Sequence, residues 1–577
     1  MSGICGFLGK GEENTMANML ERMLHRGSGT SVHADEDISL GAISSQLAYS
    51  ADKSLVLCCD GNNAAELLRL YEEHGESMFE QLRGGFAFVM YDFAKRRLFA
   101  ARDHFGVRPF YYTVLGGQFV FASELKSLLE FPGFERQLNE AALEQYLTFQ
   151  YSPLPETFFK GVFKLMPGHC LVFEGGEVAV SQYWDAEFRP NESAEHDAAI
   201  DEIEAAAKAA IAHYEAEGVE GTFLSSGVDS SFIAANFKGK KSFTVGFDID
   251  QYNEIEYARA LSEQLGLEHC SKIISSDEFW DSLSRIQYHT DEPLADPAAV
   301  ALYFLCELAK EHVDCVFSGE GPDEFFGGYN IYKEPLDLRA LTRLPMPVRR
   351  LLGALARRLP PGVRGRNLFI RASQSVEERF VGNAKIFSDE ERREILLTHS
   401  EAKAQDVTKP FYDQAAHLDD VTKMQTIDIK LWLDGNILLG CDKIPAIHGL
   451  EVRTPLADKT LFDIAAKLPT RLRVNKEATK YAFRMAAQRS LKSEVAQKKK
   501  LGFPVPIRVW LRDETYAARV RRAFEGDDAQ RFFDVPKLTE LLNQHLAGKA
   551  DHSRKIWTVY SFLLWYEIYF EQSLKTP

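Results

Sequence analysis

The sequence predicts a two-domain α/β protein, with a β-rich domain over residues 1–190 and a parallel-sheet domain over residues 191–577. Three observations carry this expectation. The chain has 577 residues, more than one core organises when domains run to roughly 100–200 residues. Up to residue 190, short apolar runs bounded by Gly, Asp and Asn follow one another, as strands do. Beyond residue 198, short apolar runs alternate with helix-patterned segments. Strands alternating with helices make a parallel sheet covered on both faces.

Taken in order, Leu55-Val56-Leu57, Phe86-Ala87-Phe88-Val89-Met90-Tyr91 and Phe119-Val120-Phe121 read as strands of the first domain. Helix-like segments at 14–25 and 63–83 interrupt them. Residues 188–199 are polar and read as a linker. A helix over 198–216 follows, with Ala, Ile and Glu at helical spacing. Then come a run at Thr222-Phe223-Leu224, a Ser/Gly turn and a second helix. A run over Ser242 to Phe247 precedes a helix near 254–266, and a helix near 298–311 precedes a run over Asp314 to Phe317. Residues 340–577 read as mostly helical, and the arginine-rich segment 339–373 as a solvated loop and helix surface.

Composition excludes several classes. Apolar residues at 45 % and charged residues at 26 % are globular usage, not disorder end to end. Lys and Arg number 67 against 84 Asp and Glu, a net charge of −17. Tracking a nucleic-acid backbone needs a concentrated positive field, so no nucleic-acid partner is expected. No stretch of about 18 uncharged apolar residues occurs, so neither a span nor a membrane partner is expected. The start carries Gly11-Glu12-Glu13 and no basic-then-apolar signal pattern, which predicts a cytoplasmic protein. None of the eight cysteines forms C-x-x-C, so they read as buried thiols rather than a zinc or redox motif.

The most informative segment is Leu224-Ser225-Ser226-Gly227-Val228-Asp229-Ser230-Ser231. It follows a strand and opens a helix. Small residues let backbone N–H groups approach an anion, and the helix N-terminus adds partial positive charge. The Lys-Ser/Thr ending of a Walker loop is absent. Asp229 would repel a bare phosphate and makes sense with a metal ion between them. A Ser/Asp helix cap explains this segment equally well on its own. A second segment, Ser318-Gly319-Glu320-Gly321-Pro322-Asp323-Glu324, also follows a strand. Ligands of open parallel sheets bind outside the carboxyl ends of the strands. Asp323 is a candidate second carboxylate for Mg²⁺, and Glu320 a candidate to orient or deprotonate an incoming amine.

Together these segments resemble the glutamine-dependent asparagine synthetase family, whose pyrophosphate loop is of the N-type ATP pyrophosphatase kind. The resemblance covers nearly the whole chain. Further matching stretches are Arg102–Pro109, Phe121–Lys126, Asp291-Glu292-Pro293, Leu450–Asp458, Lys480–Arg484 and Lys500–Pro506. It implies an Ntn-hydrolase-like αββα sandwich ahead of an adenine-nucleotide α-hydrolase-like parallel sheet with a helical extension. It also implies a homodimer that binds ATP and Mg²⁺ and transfers AMP to a side-chain carboxylate. A carboxylate is a poor electrophile, and the acyl-adenylate offers a good leaving group to an amine. Leu224 and Val245 fall where the family holds adenine. Ser225, Ser226, Gly227, Asp229 and Ser230 fall in its pyrophosphate loop. Ser318 and Gly319 fall at its nucleotide contacts, and Lys480 matches the lysine that stabilises developing negative charge.

The resemblance fails in the first domain. The family's glutamine-hydrolysing nucleophile is a cysteine at position 2, where this chain has Ser2. Its arginine for the substrate carboxylate has no counterpart, since no arginine occurs between Arg26 and Arg69. Its Asn-Gly-Glu-Ile-Tyr-Asn loop is reduced to Cys59-Asp60-Gly61-Asn62-Asn63. The expectation is a ligase without its own glutaminase, joining aspartate or a similar acid to ammonia or another amine. A separate glutaminase would be one source of that ammonia. A β-lactam-synthetase- or lasso-cyclase-like enzyme using a substrate amine and a non-catalytic scaffold stay open. Arg453 reads either as a contact to the acid or as a structural ion pair.

Overall fold

The computed structural model describes residues 1–572 apart from 62, 217, 361, 500, 501 and 503. Asn62 of the Cys59–Asn63 stretch, and Lys500, Leu501 and Phe503 of the Lys500–Pro506 stretch, lie outside the described residues.

The first domain is built on two six-stranded sheets. In one, Gly3–Leu8 pairs antiparallel with Ile38–Ile43 and Gln118–Ala122. In the other, Ala87–Asp92 lies antiparallel between Leu55–Asp60 and Arg97–Arg102. Side chains alternate across a strand, and both faces of each sheet are apolar. Ile4, Leu40 and Phe121 therefore meet Val56, Cys58 and Val89 between the sheets. Cys5 and Phe7 point outward into a core with Met19 and Leu20 of the helix Thr15–Glu21. Leu57 and Cys59 point out of the other sheet against Leu67 and Leu68 of the helix Ala64–His74. The result is the αββα sandwich that the resemblance implies.

In the second domain the strands Glu268–Ile274, Lys241–Phe247, Gly221–Phe223, Cys315–Phe317 and Glu451–Arg453 lie side by side in that order, all parallel. The first three fill one side of the sheet from its centre outward, and the last two fill the other. Strand order thus reverses between Gly221–Phe223 and Cys315–Phe317, the switch point where such sheets bind ligands. The two motifs leave these two neighbouring strands. Glu451–Arg453 is a strand that the largely helical reading of residues 340–577 did not expect.

The polar segment expected as a linker is docked instead. The Arg189 and Asn191 N–H groups donate to Ala466 O at 2.9 Å and Lys467 O at 2.8 Å. The domains share a core in which Phe158 and Phe159 meet Trp565 of the helix Ser553–Tyr566 at ring distances of 5.0 and 5.7 Å. All eight cysteines are free thiols, and only Cys270 is partly exposed. Among the described residues no helix is long and apolar enough to cross a membrane.

Candidate active site

A cavity of about 430 Å³ opens at the switch point, within the range of small-molecule sites. Leu224, Ser225, Gly227, Asp229, Ser230 and Val245 line it from one side. Ser318, Gly319, Glu320 and Asp323 line it from the other. The structure thus brings both motifs to one cavity; of the residues expected at nucleotide, metal or amine, Ser226 and Lys480 are not on its lining.

The loop after Gly221–Phe223 is held by its own hydroxyls. Ser225 N–H donates to Ser230 Oγ at 3.1 Å, and Gly227 N–H donates to Ser225 Oγ at 3.2 Å. Ser231 Oγ donates to Gly227 O at 2.8 Å, anchoring the first turn of the helix Val228–Asn236. Thr244 Oγ1 donates to Leu224 O at 2.6 Å, tying Leu224 to the neighbouring strand. Ser226 faces away. Its hydroxyl and its N–H both donate to the Glu254 carboxylate, the latter at 3.2 Å. In this arrangement both Ser226 donors are taken up by Glu254, and the residue shapes the loop.

Gly319 allows the two motifs to touch. A Cβ there would lie 2.9 Å from Ser230 N and 3.2 Å from Asp229 Cβ. Behind this contact, Lys480 Nζ lies 2.5 Å from Asp229 Oδ2 and 2.8 Å from Asp323 Oδ1. All three residues are buried. Lys480 adopts φ 53°, the left-handed region that costs an L-residue roughly 1–2 kcal/mol. Such strain persists where the surroundings over-determine it, and here the two carboxylates do so. Gly328 makes room for the cluster, because a Cβ there would lie 1.8 Å from Asp323 Oδ1 and 2.2 Å from Lys480 Cε.

The remaining polar groups extend this centre. Ser318 Oγ donates to Glu320 Oε1 at 3.1 Å, orienting a carboxylate on the cavity wall. Glu324 is buried beside Asp323, and burial first and that neighbouring charge second push its carboxyl well above the ordinary range. Its Oε1 accepts from Tyr329 Oη at 2.6 Å, and Tyr329 Oη accepts from Trp432 Nε1 at 3.0 Å. Arg484 lines the cavity with its guanidinium donating to Ala496 O at 2.7 Å and Lys498 O at 2.9 Å. Sequence reasoning missed Glu254, Arg484 and Trp432. Arg484 sits inside the Lys480–Arg484 stretch already singled out, whereas nothing near Glu254 or Trp432 signals a role. Arg453 takes the structural reading: its Nε lies 3.0 Å from Glu451 Oε1, its Nη1 donates to Tyr214 O at 3.0 Å, and it does not line the cavity.

The donor set fits a magnesium ion. Two carboxylates face one cavity, and the buried Asp229 Oδ1 has no hydrogen-bond partner among the described residues. Mg²⁺ is commonly held by one or two carboxylates together with substrate phosphates.

A second buried charge cluster joins the domains around Ser2. Ser2 Oγ donates to Asp60 Oδ1 at 2.8 Å and accepts from Gly61 N–H at 2.9 Å. Arg26, fully buried, donates to Asp442 through both terminal nitrogens at 2.8 and 2.9 Å, and to Glu124 at 3.0 Å. Arg108 reaches the same Asp442 at 3.0 Å, and Lys443 lies 2.5 Å from Asp291. Burial would raise the Asp442 carboxyl, but Arg26 and Arg108 outweigh it and hold that group below its ordinary value. Asp442 and Lys443 belong to the helix Leu439–Ile447, whose Gly440, Cys441 and Ile444 line the cavity at the switch point. One helix therefore partitions the two clusters.

Comparison with known proteins agrees with this layout. The asparagine synthase family profile matches residues 202–567, and a glutamine amidotransferase domain profile matches residues 59–184. Asparagine synthetase (glutamine-hydrolysing) 1 of Bacillus subtilis (strain 168) is 39 % identical over 513 residues, covering 88 % of this chain and 81 % of that one. A putative glutamine-hydrolysing asparagine synthetase of Mycobacterium tuberculosis (strain H37Rv) is 39 % identical over 537 residues, covering 90 % and 81 %. A further Bacillus subtilis protein, asparagine synthetase (glutamine-hydrolysing) 3, is 27 % identical over 462 residues, covering 76 % and 70 %.

Proposed function

The chain belongs to the asparagine synthase family, whose activity is ATP-dependent amidation, and from that premise we propose a ligase that adenylates a carboxylate without making its own ammonia. The acid is aspartate or a close analogue, the leaving group of the first step is pyrophosphate, and ammonia or another amine displaces AMP. The observation that carries the reading is Lys480 held between Asp229 and Asp323, the two carboxylates that line the cavity.

Each residue has a place in this chemistry. Leu224 and Val245 form the apolar seat for adenine. Ser225, Gly227, Ser230, Ser318 and Gly319 face the phosphates, where loop N–H groups and the helix N-terminus favour negative charge. Asp229 and Asp323 would hold Mg²⁺, which when bound supplies positive charge to the phosphate oxygens. Lys480 stabilises charge that develops on pyrophosphate, already oriented before the reaction begins. Glu320 orients the amine and takes its proton. Residues 1–190 act as a separate domain from 191–577 and remain as a structural partner.

The glutaminase is proposed to be lost. The Ser2 hydroxyl donates to the Asp60 carboxylate at 2.8 Å, a negative charge beside the nucleophile position that disfavours the negative charge an acyl-transfer intermediate develops. Arg26 cannot turn to a substrate carboxylate without abandoning the buried Asp442, which costs several kcal/mol. A second reading, amide formation with an amine carried by the substrate itself, draws on the Trp432–Tyr329–Glu324 chain, a phenol poised on a carboxylate at the cavity wall.

ATP–pyrophosphate exchange over a panel of acids tests the activation step, and exchange with no acid at all would leave a scaffold. Product analysis with ammonium and a panel of amines separates the two nitrogen sources. Glutamate released from glutamine by the purified protein would overturn the loss of the glutaminase.

A further inference from the structure

Residues 339–373 contain nine arginines and no lysine, aspartate or glutamate. With that segment removed from the total of −17, the rest of the chain stands at −26. The same 35 residues hold seven of the sixteen large apolar side chains exposed in the described structure. Sequence alone reads this stretch as solvated surface and expects no membrane partner. The structure adds an arrangement that composition does not contain.

The helix Met346–Arg357 is laid against the helix Arg366–Ala372 through small residues. Gly353 packs so closely that a Cβ would lie 2.3 Å from the Ser373 side chain. Arg349 fixes the pair by donating to Ala372 O at 2.5 Å and Gln374 O at 2.9 Å. With Gly353 and Ala356 inward, Val348, Leu351 and Leu355 fall on one outward stripe at spacings of three and four. Leu344 before the helix and Leu359 after it extend the stripe by one turn each way. Leu351 is 62 % and Leu355 51 % exposed.

Arginines flank the stripe. Arg350 pairs with Glu378 and Arg371 with Glu334. Arg343, Arg357, Arg358 and Arg364 are exposed and have no carboxylate partner among the described residues.

We propose that this helix pair is a docking surface for an anionic lipid bilayer, with the leucine stripe in the acyl boundary and the arginines at the headgroups. Binding of this kind combines buried apolar area with attraction to anionic lipid. Both terms are present on one face of the helix pair. The exposed apolar residues are all aliphatic, whereas binding of single-stranded nucleic acid uses aromatic platforms. An aliphatic stripe flanked by guanidinium groups suits a fluid surface, into which long cationic side chains can extend from an apolar stem. The segment thus attaches an enzyme with no membrane-spanning helix among its described residues to the periphery of a membrane.

Sedimentation of the full chain with vesicles tests this. The protein is expected to co-sediment with phosphatidylcholine–phosphatidylglycerol vesicles and much less with phosphatidylcholine alone. Raising the salt to about 0.5 M should weaken binding by screening the arginines. Leu351→Asp/Leu355→Asp and, separately, Arg357→Ser/Arg358→Ser should each lower the partition about tenfold or more. Both variants should keep the wild-type unfolding midpoint and ATP–pyrophosphate exchange. No co-sedimentation with anionic vesicles, or binding that survives both variants, overturns the proposal. So does an oligomer, present without lipid, that the same variants dissolve, for then the stripe is an interface between copies of this chain.

Discussion

Replacing Lys480 by Met probes the proposed centre most sharply. Methionine keeps much of the volume and the unbranched stem but removes the charge. In the wild type one nitrogen lies within 2.8 Å of oxygens on both Asp229 and Asp323. Without it two buried carboxylates face each other uncompensated, and like charges at close range push one of them to bind a proton. Removing one partner of a buried pair costs about 3–5 kcal/mol. The left-handed backbone at position 480 then loses the side-chain contacts that hold it. Loss of a preorganised charge that meets developing negative charge lowers turnover by about 10²–10³. The assay is acid-dependent ATP–pyrophosphate exchange at saturating Mg-ATP, with thermal unfolding run beside it. Mg²⁺ should recover part of the lost stability, because a ligand at 100 times its Kd stabilises the folded state by about 2.7 kcal/mol. Exchange should stay low even in the metal-stabilised protein. A folded variant exchanging at close to the wild-type rate would refute the reasoning, since Lys480 would then be merely structural.

Gly328→Ala should abolish exchange while the protein stays folded, because the new Cβ would displace Asp323 and Lys480 at 1.8 and 2.2 Å; a normal rate with unchanged KM for ATP would contradict this. Arg26→Ala should destabilise the protein by about 3–5 kcal/mol, read as a lowered urea midpoint, because Asp442 and Glu124 lose a buried partner. Asp428 is buried, accepts from Tyr332 Oη at 2.6 Å, and has its carboxyl pushed up by burial to about 7. The folded state therefore keeps a proton that the unfolded chain releases near its ordinary 3.8. Its contribution is fully present below about pH 4 and is lost as pH rises to about 7, a change on the order of 4 kcal/mol. Asp428→Asn should flatten that part of the stability–pH curve, and an unchanged slope would contradict the assignment.

The parts of this protein that were legible in its sequence are those with a local signature. Small residues after an apolar run mark a loop that approaches an anion, so Ser225 to Ser230 and Ser318 to Asp323 could be read as a pair. Their meeting was not legible. It depends on Gly221–Phe223 and Cys315–Phe317 being neighbours, a pairing between strands almost a hundred residues apart. Gly319 and Gly328 matter because of what lies across the space from them, which no window of sequence contains. The partner of Ser226 was hidden for the same reason: Glu254 approaches from another loop. The polar stretch near 188–195 has linker composition, yet its backbone is satisfied by the carbonyls of Ala466 and Lys467. The arginine-rich segment has a composition that solvent or a partner can satisfy equally. Only the burial of Gly353 and Ala356 fixes which way its leucines face.

The most direct test supplies the purified protein with ATP, Mg²⁺, the accepted acid, unlabelled ammonium and glutamine carrying ¹⁵N in its amide, and weighs the product. AMP and pyrophosphate should form together with an amide whose nitrogen is unlabelled. An amide carrying ¹⁵N, or product formed with ADP and phosphate in place of AMP and pyrophosphate, would contradict the account.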